Sequence, residues 1–264
     1  MSVLHALILG IIQGVAEFLP ISSSGHLIVL QRLFGIEEPA FTFDIVVHIG
    51  SLVAIVIVFW RDILEIIKNP FSKMTGLLIV GTLPVVFAGL FMRNIIEDNF
   101  RSGIWLATAF TITGVFLIIA DKSTNTTKEE KDITYLDALV VGAFQALALP
   151  PGITRSGTTI MGGLTRGISR AAAAKFSFML AIIAIAGAGT LEAVQVVRSD
   201  YGLAGTVGAT QLIVGFVASL VVGYFSIRLL LKLIRSCKLR YFSFYVWGLA
   251  ALILLDSIVI GRFF

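Results

Sequence analysis

Cysteine is nearly absent. Cys237 stands alone in 264 residues, which excludes an internal disulfide and a cysteine-based metal cluster. Charge is scarce as well: Asp, Glu, Lys and Arg make up 14% of the chain against 57% hydrophobic residues, where a soluble domain is roughly a quarter charged. There is no polar stretch long enough for a separate soluble domain; the longest, "DKSTNTTKEEKDITY", runs only from Asp121 to Tyr135. The N-terminal "MSVLHALILG" carries no Lys or Arg before its apolar run, so it is read as part of the mature fold and not as a secretory signal. What is present is apolar sequence throughout, with a mean hydropathy of +0.97. These features describe a multi-spanning membrane protein. The net charge of +4 is scattered over membrane-edge loops, so no nucleic-acid partner is expected.

A helix rises about 1.5 Å per residue and needs roughly 20 apolar residues to cross the hydrocarbon. Six stretches qualify: Thr42–Trp60, Met74–Met92, Gly103–Ala120, Lys175–Val197, Gly208–Leu231 and Ser243–Arg262. Two further apolar stretches are broken. Leu4–Phe18 runs into Leu19-Pro20 and three serines before His26–Phe34, and Leu136–Leu149 meets "PPGITRSG" before Thr158–Ile168. Proline stops a helix and pushes its predecessor out of helical geometry. Each stretch therefore reads as two half-helices around a polar tip, a re-entrant hairpin of the kind tolerated at membrane depth when buried in protein or lining a wet cavity.

The hairpins repeat each other. Sliding Leu4–His26 by 132 residues onto Leu136–Thr158 leaves nine of 23 positions identical, among them Gln13/Gln145, Ser24/Ser156 and Gly25/Gly157. The fold expected is an all-α integral membrane protein with an inverted-topology repeat, each half one re-entrant helical hairpin plus three transmembrane helices. Repeat one would cover 1–120, the linker 121–135 and repeat two 136–264. Three spans per half is odd, so the second half enters upside down, a known way to build a buried polar site. The 20 Lys and Arg agree with this topology. Arg32, Arg93, Arg101, Arg198 and Arg262 fall on one side, Arg155 lies in the second hairpin, and all the others lie on the opposite side. By the positive-inside rule the crowded side is cytoplasmic, so both termini and the first hairpin open outward.

Gln13 and Glu17 are four residues apart and share one helix face. Ser22, Ser23 and Ser24 precede a half-helix beginning near Gly25-His26, and Thr154, Arg155 and Ser156 precede the matching one. Helix N-termini present free N–H groups and partial positive charge, and Arg155 adds a forked donor suited to two phosphate oxygens. An intramembrane phosphate site follows. Plain N-caps at the hydroxyls, and a structural salt bridge between Glu17 and Arg155, are the competing readings. Gly10-x-x-x-Gly14 and Gly163-x-x-x-Gly167 read as close helix contacts. Asp44 and His48 share a face of the first span, where a supporting role is weighed.

"QGVAEFLPISSSGH" and "PPGITRSGTT", with "FTFDIVVHIGSLVAIVIVFWR" and "KFSFMLAIIAIAGAG" after them, resemble the motif regions of the bacitracin-resistance family of undecaprenyl-diphosphate phosphatases over nearly the whole chain. The resemblance implies hydrolysis of a polyprenyl diphosphate to the monophosphate carrier plus inorganic phosphate. That reaction recycles the lipid for cell-wall synthesis in the cytoplasmic membrane and links the protein to bacitracin. It also implies a divalent cation, Mg²⁺ or Ca²⁺, held partly by Glu17. By the same resemblance Glu17 is the motif acid, Ser23 a candidate nucleophile, His26 a proton-transfer partner and Arg155 the phosphate-binding arginine. Gln13, Ser22, Ser24, Thr154, Ser156 and Thr159 would contact substrate. Gln13 stands where many members have a second glutamate, and Thr154 replaces the usual serine. Two routes stay open: attack by Ser23, with His26 or Glu17 taking its proton, or attack or water activation by His26. The rival from another class is a transporter or flippase of a polyprenyl phosphate. A different membrane phosphatase class with a Ser-Gly-His element is excluded, since no histidine follows Arg155. Pairing into a homodimer is left open.

Overall fold

The computed structural model describes residues 1–36, 41–99, 102–123, 126–198, 207–236 and 238–264. Side chains at 92–99, 192–193, 195–198 and 235–236 lie outside that set, and so do the topology residues Arg93, Arg101, Arg198 and Arg235 and the lone Cys237. The described residues are helical apart from turns and one isolated bridge, Lys128 to Ile168.

The prolines act where expected. Helix α1 (Val3–Ala16) stops ahead of Pro20, and α2 (Ser23–Leu33) follows after the turn. At about 1.5 Å per residue neither reaches the roughly 30 Å of a hydrocarbon core. Among the described residues six helices are long and apolar enough to cross a membrane: Phe41–Val58 (α3), Lys73–Phe91 within α5 (Lys73–Asn99), Gly103–Lys122 (α6), Arg170–Leu191 within α9 (Arg170–Arg198), Ala209–Ile234 within α10 (Ala209–Ser236), and Arg240–Ile260, made of α11 (Arg240–Leu255) and the π-turn that continues it. Each lies within a few residues of its expected stretch. The second broken segment gives α7 (Tyr135–Ala146) and α8 (Arg155–Thr165), separated by Pro150-Pro151. Helix α4 (Trp60–Lys68) was not foreseen. It is a short amphipathic piece whose Ile63 and Ile66 rest on the core while Asp62 pairs with Lys175.

Packing is reciprocal. Helix α1 lies against α10 and α7 against α5, while α3 meets α9 and α6 meets α11. The α1–α10 seam is a backbone contact. A Cβ on Gly10 would sit 2.6 Å from Gly215 O, and one on Gly14 would sit 2.7 Å from Ser219 O. The glycine spacing thus meets its partner helix, as small residues do where apolar contact alone gives little drive. Phe18, from the end of the first half-hairpin, packs edge-on against Phe178 of α9 in the main core.

Buried Asp137 pins the linker to the second hairpin. Its carboxylate accepts from Lys128 Nζ at 2.9 Å and from Arg166 Nε at 2.8 Å. It also closes a reciprocal cap with Thr134 at the start of α7. Burial pushes this carboxyl up, but the bonds from Lys128, the Thr134 backbone and Arg166 outweigh that and hold it well below the usual carboxylate range. A depressed pKa contributes stability that is present above the unfolded value, about 3.9, and is lost as pH falls toward the folded value. The thermal midpoint is therefore expected to hold from pH 7 to about 4 and to drop below. Asp137→Asn should cost about 2–3 kcal/mol, less than a fully buried pair, because Lys128 and Arg166 can turn to solvent. Unfolding followed by tryptophan fluorescence in detergent checks both.

Candidate active site

The two tips meet. A Cβ on Gly25 would lie 3.0 Å from Gly152 Cα, and one on Gly157 would lie 3.3 Å from Pro20 Cβ. Ser156 Oγ donates across the junction to Leu19 O at 3.3 Å. Ser22 caps α2 through Gly25 N–H, and Thr154 caps α8 through Gly157 N–H, so the N-cap reading of these hydroxyls is correct as local structure. Ser22 has φ +70°, the only positive φ outside glycine among the described residues. Such backbone persists where surrounding contacts force it, and it clusters at functional sites.

Glu17 is the hub. It caps α1, is 8% exposed, and uses both oxygens. Arg155 Nη2 donates to Oε1 at 2.5 Å, Ser23 Oγ donates to Oε2 at 2.5 Å, and Gln13 Nε2 donates to Oε2 at 3.0 Å. An acid from one hairpin and a guanidinium from the other are therefore in contact, 138 residues apart in sequence. Two buried polar atoms at this junction lack a partner among the described residues: the acceptor Gln13 Oε1 and the donor Arg155 Nη1. An unpaired buried donor costs about 1–3 kcal/mol, more when charged. A cationic N–H with no acceptor is a demand for an anion.

The other expected residues divide. Ser24 touches Ser22 Oγ at 3.4 Å, and Thr154 Oγ1 touches Ser156 Oγ at 3.2 Å, both at the tips. Thr159 is turned toward α9, where its hydroxyl meets Ser177 Oγ at 2.6 Å and returns to Arg155 O. No described bond brings it to Glu17. His26 sits beside the hub and not on it. Its Nδ1 meets Ser22 O at 2.7 Å and its Nε2 meets Tyr245 Oη at 2.8 Å. His48 points Nε2 at Glu17 Oε2 across 3.7 Å, while its Nδ1–H donates to Asp44 O. Of the weighed pair His48 reaches the site, and Asp44 instead accepts from Gln31.

A family model described as bacitracin resistance protein BacA matches residues 6–252. The chain belongs to that family. It is 45% identical to an undecaprenyl-diphosphatase of Carboxydothermus hydrogenoformans, over 96% of this chain and 97% of the other. It is also 45% identical to undecaprenyl-diphosphatase 3 of Bacillus cereus, over 97% of each. An undecaprenyl-diphosphatase of Methanosphaera stadtmanae is 36% identical over 98% of this chain and all of its own length. Family membership and six apolar helices make the chain a multi-pass membrane protein.

Sequence reasoning missed three polar residues around this BacA-family site. Ser51 accepts from Gln13 Nε2 at 3.4 Å and meets Ser219 of α10 at 2.9 Å, fixing the Gln13 side chain. Tyr245 of α11 holds His26. Ser219 and Tyr245 lie in the opposite half of the chain, on apolar helices, and no local pattern marks them. Ser51 is three residues past His48, and that helical spacing was the one available signal.

Proposed function

We propose that this chain is a membrane undecaprenyl-diphosphatase that releases inorganic phosphate from a polyprenyl diphosphate and returns the monophosphate carrier to cell-wall synthesis. The observation that carries this reading is the pair of Glu17 contacts, to Ser23 and to Arg155, beside an Arg155 Nη1 with no acceptor. Two short hairpins whose tips meet, and reciprocal helix packing, support re-entrant hairpins in an inverted repeat of 1–120 and 136–264 joined by 121–135. The charge distribution supports residence in the cytoplasmic membrane with the site and both termini facing outward. The prenyl tail stays in lipid and the diphosphate alone enters. The bacitracin link follows, because a drug that sequesters the lipid diphosphate competes with this enzyme for it.

Phosphoryl transfer asks a protein mainly for positioning and charge neutralisation. Arg155 and the N-terminal ends of α2 and α8 cradle the diphosphate. Ser23 Oγ attacks the terminal phosphorus, its proton passes to Glu17 Oε2, and the lipid monophosphate leaves with the bridging oxygen and its electron pair. Water then attacks the phosphoserine and His26 Nε2 takes its proton. The phosphorus–Oγ bond breaks, and Glu17 returns its proton to Ser23. Serine is the favoured nucleophile because Ser23 is already bonded to a carboxylate that can take its proton, whereas His26 bonds to Ser22 O and Tyr245 and not to that carboxylate. A divalent cation, Mg²⁺ or Ca²⁺, fits the donor set, since Gln13 Oε1 is a buried acceptor without a donor. Gln13 and Glu17 would hold it, and when bound it would neutralise charge on the diphosphate. Among the described residues no three His, Cys, Asp or Glu side chains form a ligand group, so the other positions fall to substrate oxygens and water.

Purified protein in detergent with a polyprenyl diphosphate and Mg²⁺ is expected to release phosphate. A folded sample that releases none, yet moves the lipid across vesicles, supports the transporter instead. Arg155→Lys keeps the charge and loses the planar fork. It is expected to lower kcat/KM about a hundredfold, the size of effect seen when one donor to a developing oxyanion is removed.

A further inference from the structure

The hydrogen bonds around His26 define its resting state. Ser22 O can only accept, so Nδ1 carries the imidazole proton and Nε2 holds the lone pair. Tyr245 Oη therefore donates to Nε2 at 2.8 Å. The two rings lie nearly parallel with centroids 5.6 Å apart, and Phe110 closes the other side edge-on. With both nitrogens occupied, resting His26 cannot accept a proton. Tyr245 also differs from its neighbours in exposure. Glu17, Ser23 and His26 are all under one-tenth exposed, whereas Tyr245 is 50% exposed and shares its stretch of α11 with exposed Tyr241 and Phe244. It stands where the polar site reaches the apolar outer face of a membrane-crossing helix. A lipid-linked headgroup has its tail on that side.

We propose that Tyr245 is a substrate-binding residue. On arrival of the diphosphate its O–H turns from His26 Nε2 to the lipid-linked phosphate, and His26 is able to take a proton as long as that phosphate, in the substrate or in the cleaved lipid monophosphate still in the site, holds the tyrosine. Tyr245 keeps its own proton throughout; only the acceptor changes. A neutral donor suits this position, because the lipid-linked phosphate remains anionic in the product and must leave. A cation there would hold it.

This inference rests on the diphosphatase reading and is tested separately from it. Tyr245→Phe, assayed in detergent with a polyprenyl diphosphate, is expected to raise KM about tenfold with kcat within about threefold of wild type, the loss of one hydrogen bond to a charged group. A fall in kcat at unchanged KM would mean that Tyr245 only orients His26, and no change in either would mean that it does neither; both overturn the proposal. A second measurement uses wild-type protein labelled with ¹⁵N-histidine, the His26 signals being identified by their loss in His26→Gln. Adding a non-hydrolysable methylene-bridged polyprenyl diphosphonate should move the Nε2 signal to its position in ligand-free Tyr245→Phe. A signal that stays in place overturns the proposal even if Tyr245→Phe fails to fold. A wild type inert toward polyprenyl diphosphate removes the diphosphatase reading itself, whereas an active wild type with an insensitive Tyr245→Phe removes only the role of Tyr245.

Discussion

Glu17→Gln is expected to leave less than about one-thousandth of wild-type turnover in a protein that still folds. The substitution keeps the shape of the side chain, so its amide can still accept from Arg155 and remain beside Ser23 and Gln13. It removes the charge and the proton affinity. General-base assistance alone contributes about 10²–10⁴, and the neutral side chain also ceases to orient Arg155 by ionic attraction. Stability should fall much less than activity, because the amide oxygen still accepts from Arg155, its NH2 can donate to Ser23 Oγ, and Gln13 can turn its own oxygen toward it, which leaves the guanidinium without its counter-ion. Phosphate release read beside the thermal midpoint separates the readings. A merely structural salt bridge predicts that turnover returns wherever the fold is intact, for instance at lower temperature, and the catalytic reading predicts that it does not.

The parts of this site that were legible came from breaks in an otherwise apolar pattern. Pro20 and Pro150-Pro151 end helices by simple sterics, so both helix breaks could be located from sequence to within a few residues. A carboxylate and a guanidinium in such a chain need each other or a ligand, so their meeting was expected before any geometry was available. Gly10 and Gly14 announced a close helix contact without naming the partner, which is α10. What stayed hidden depends on tertiary placement. Nothing in the sequence marks Tyr245 until His26, 219 residues away, is found against it. Ser219 is one serine in an apolar helix, unmarked until Ser51 is found against it. For Thr159 the family resemblance implies substrate contact, and the sequence gives no sign that its hydroxyl also meets Ser177 of α9. Helix α4 escaped notice because nine residues at a membrane edge carry too short a pattern to stand out.

Everything in the mechanism passes through one oxygen. Ser23 Oγ is the hydroxyl bonded to the site carboxylate, and it opens α2, where free N–H groups can steady an incoming phosphate. Removing it takes away the attacking atom and little else, since a methyl group fills most of the space and Glu17 keeps Arg155 and Gln13. The loss should therefore fall on kcat, with KM and the thermal midpoint close to wild type. Phosphate release by folded Ser23→Ala is the most direct measurement of the account. It is expected to be at least about a thousandfold slower than wild type, whereas near-normal turnover would contradict it and hand the chemistry to His26 or to water.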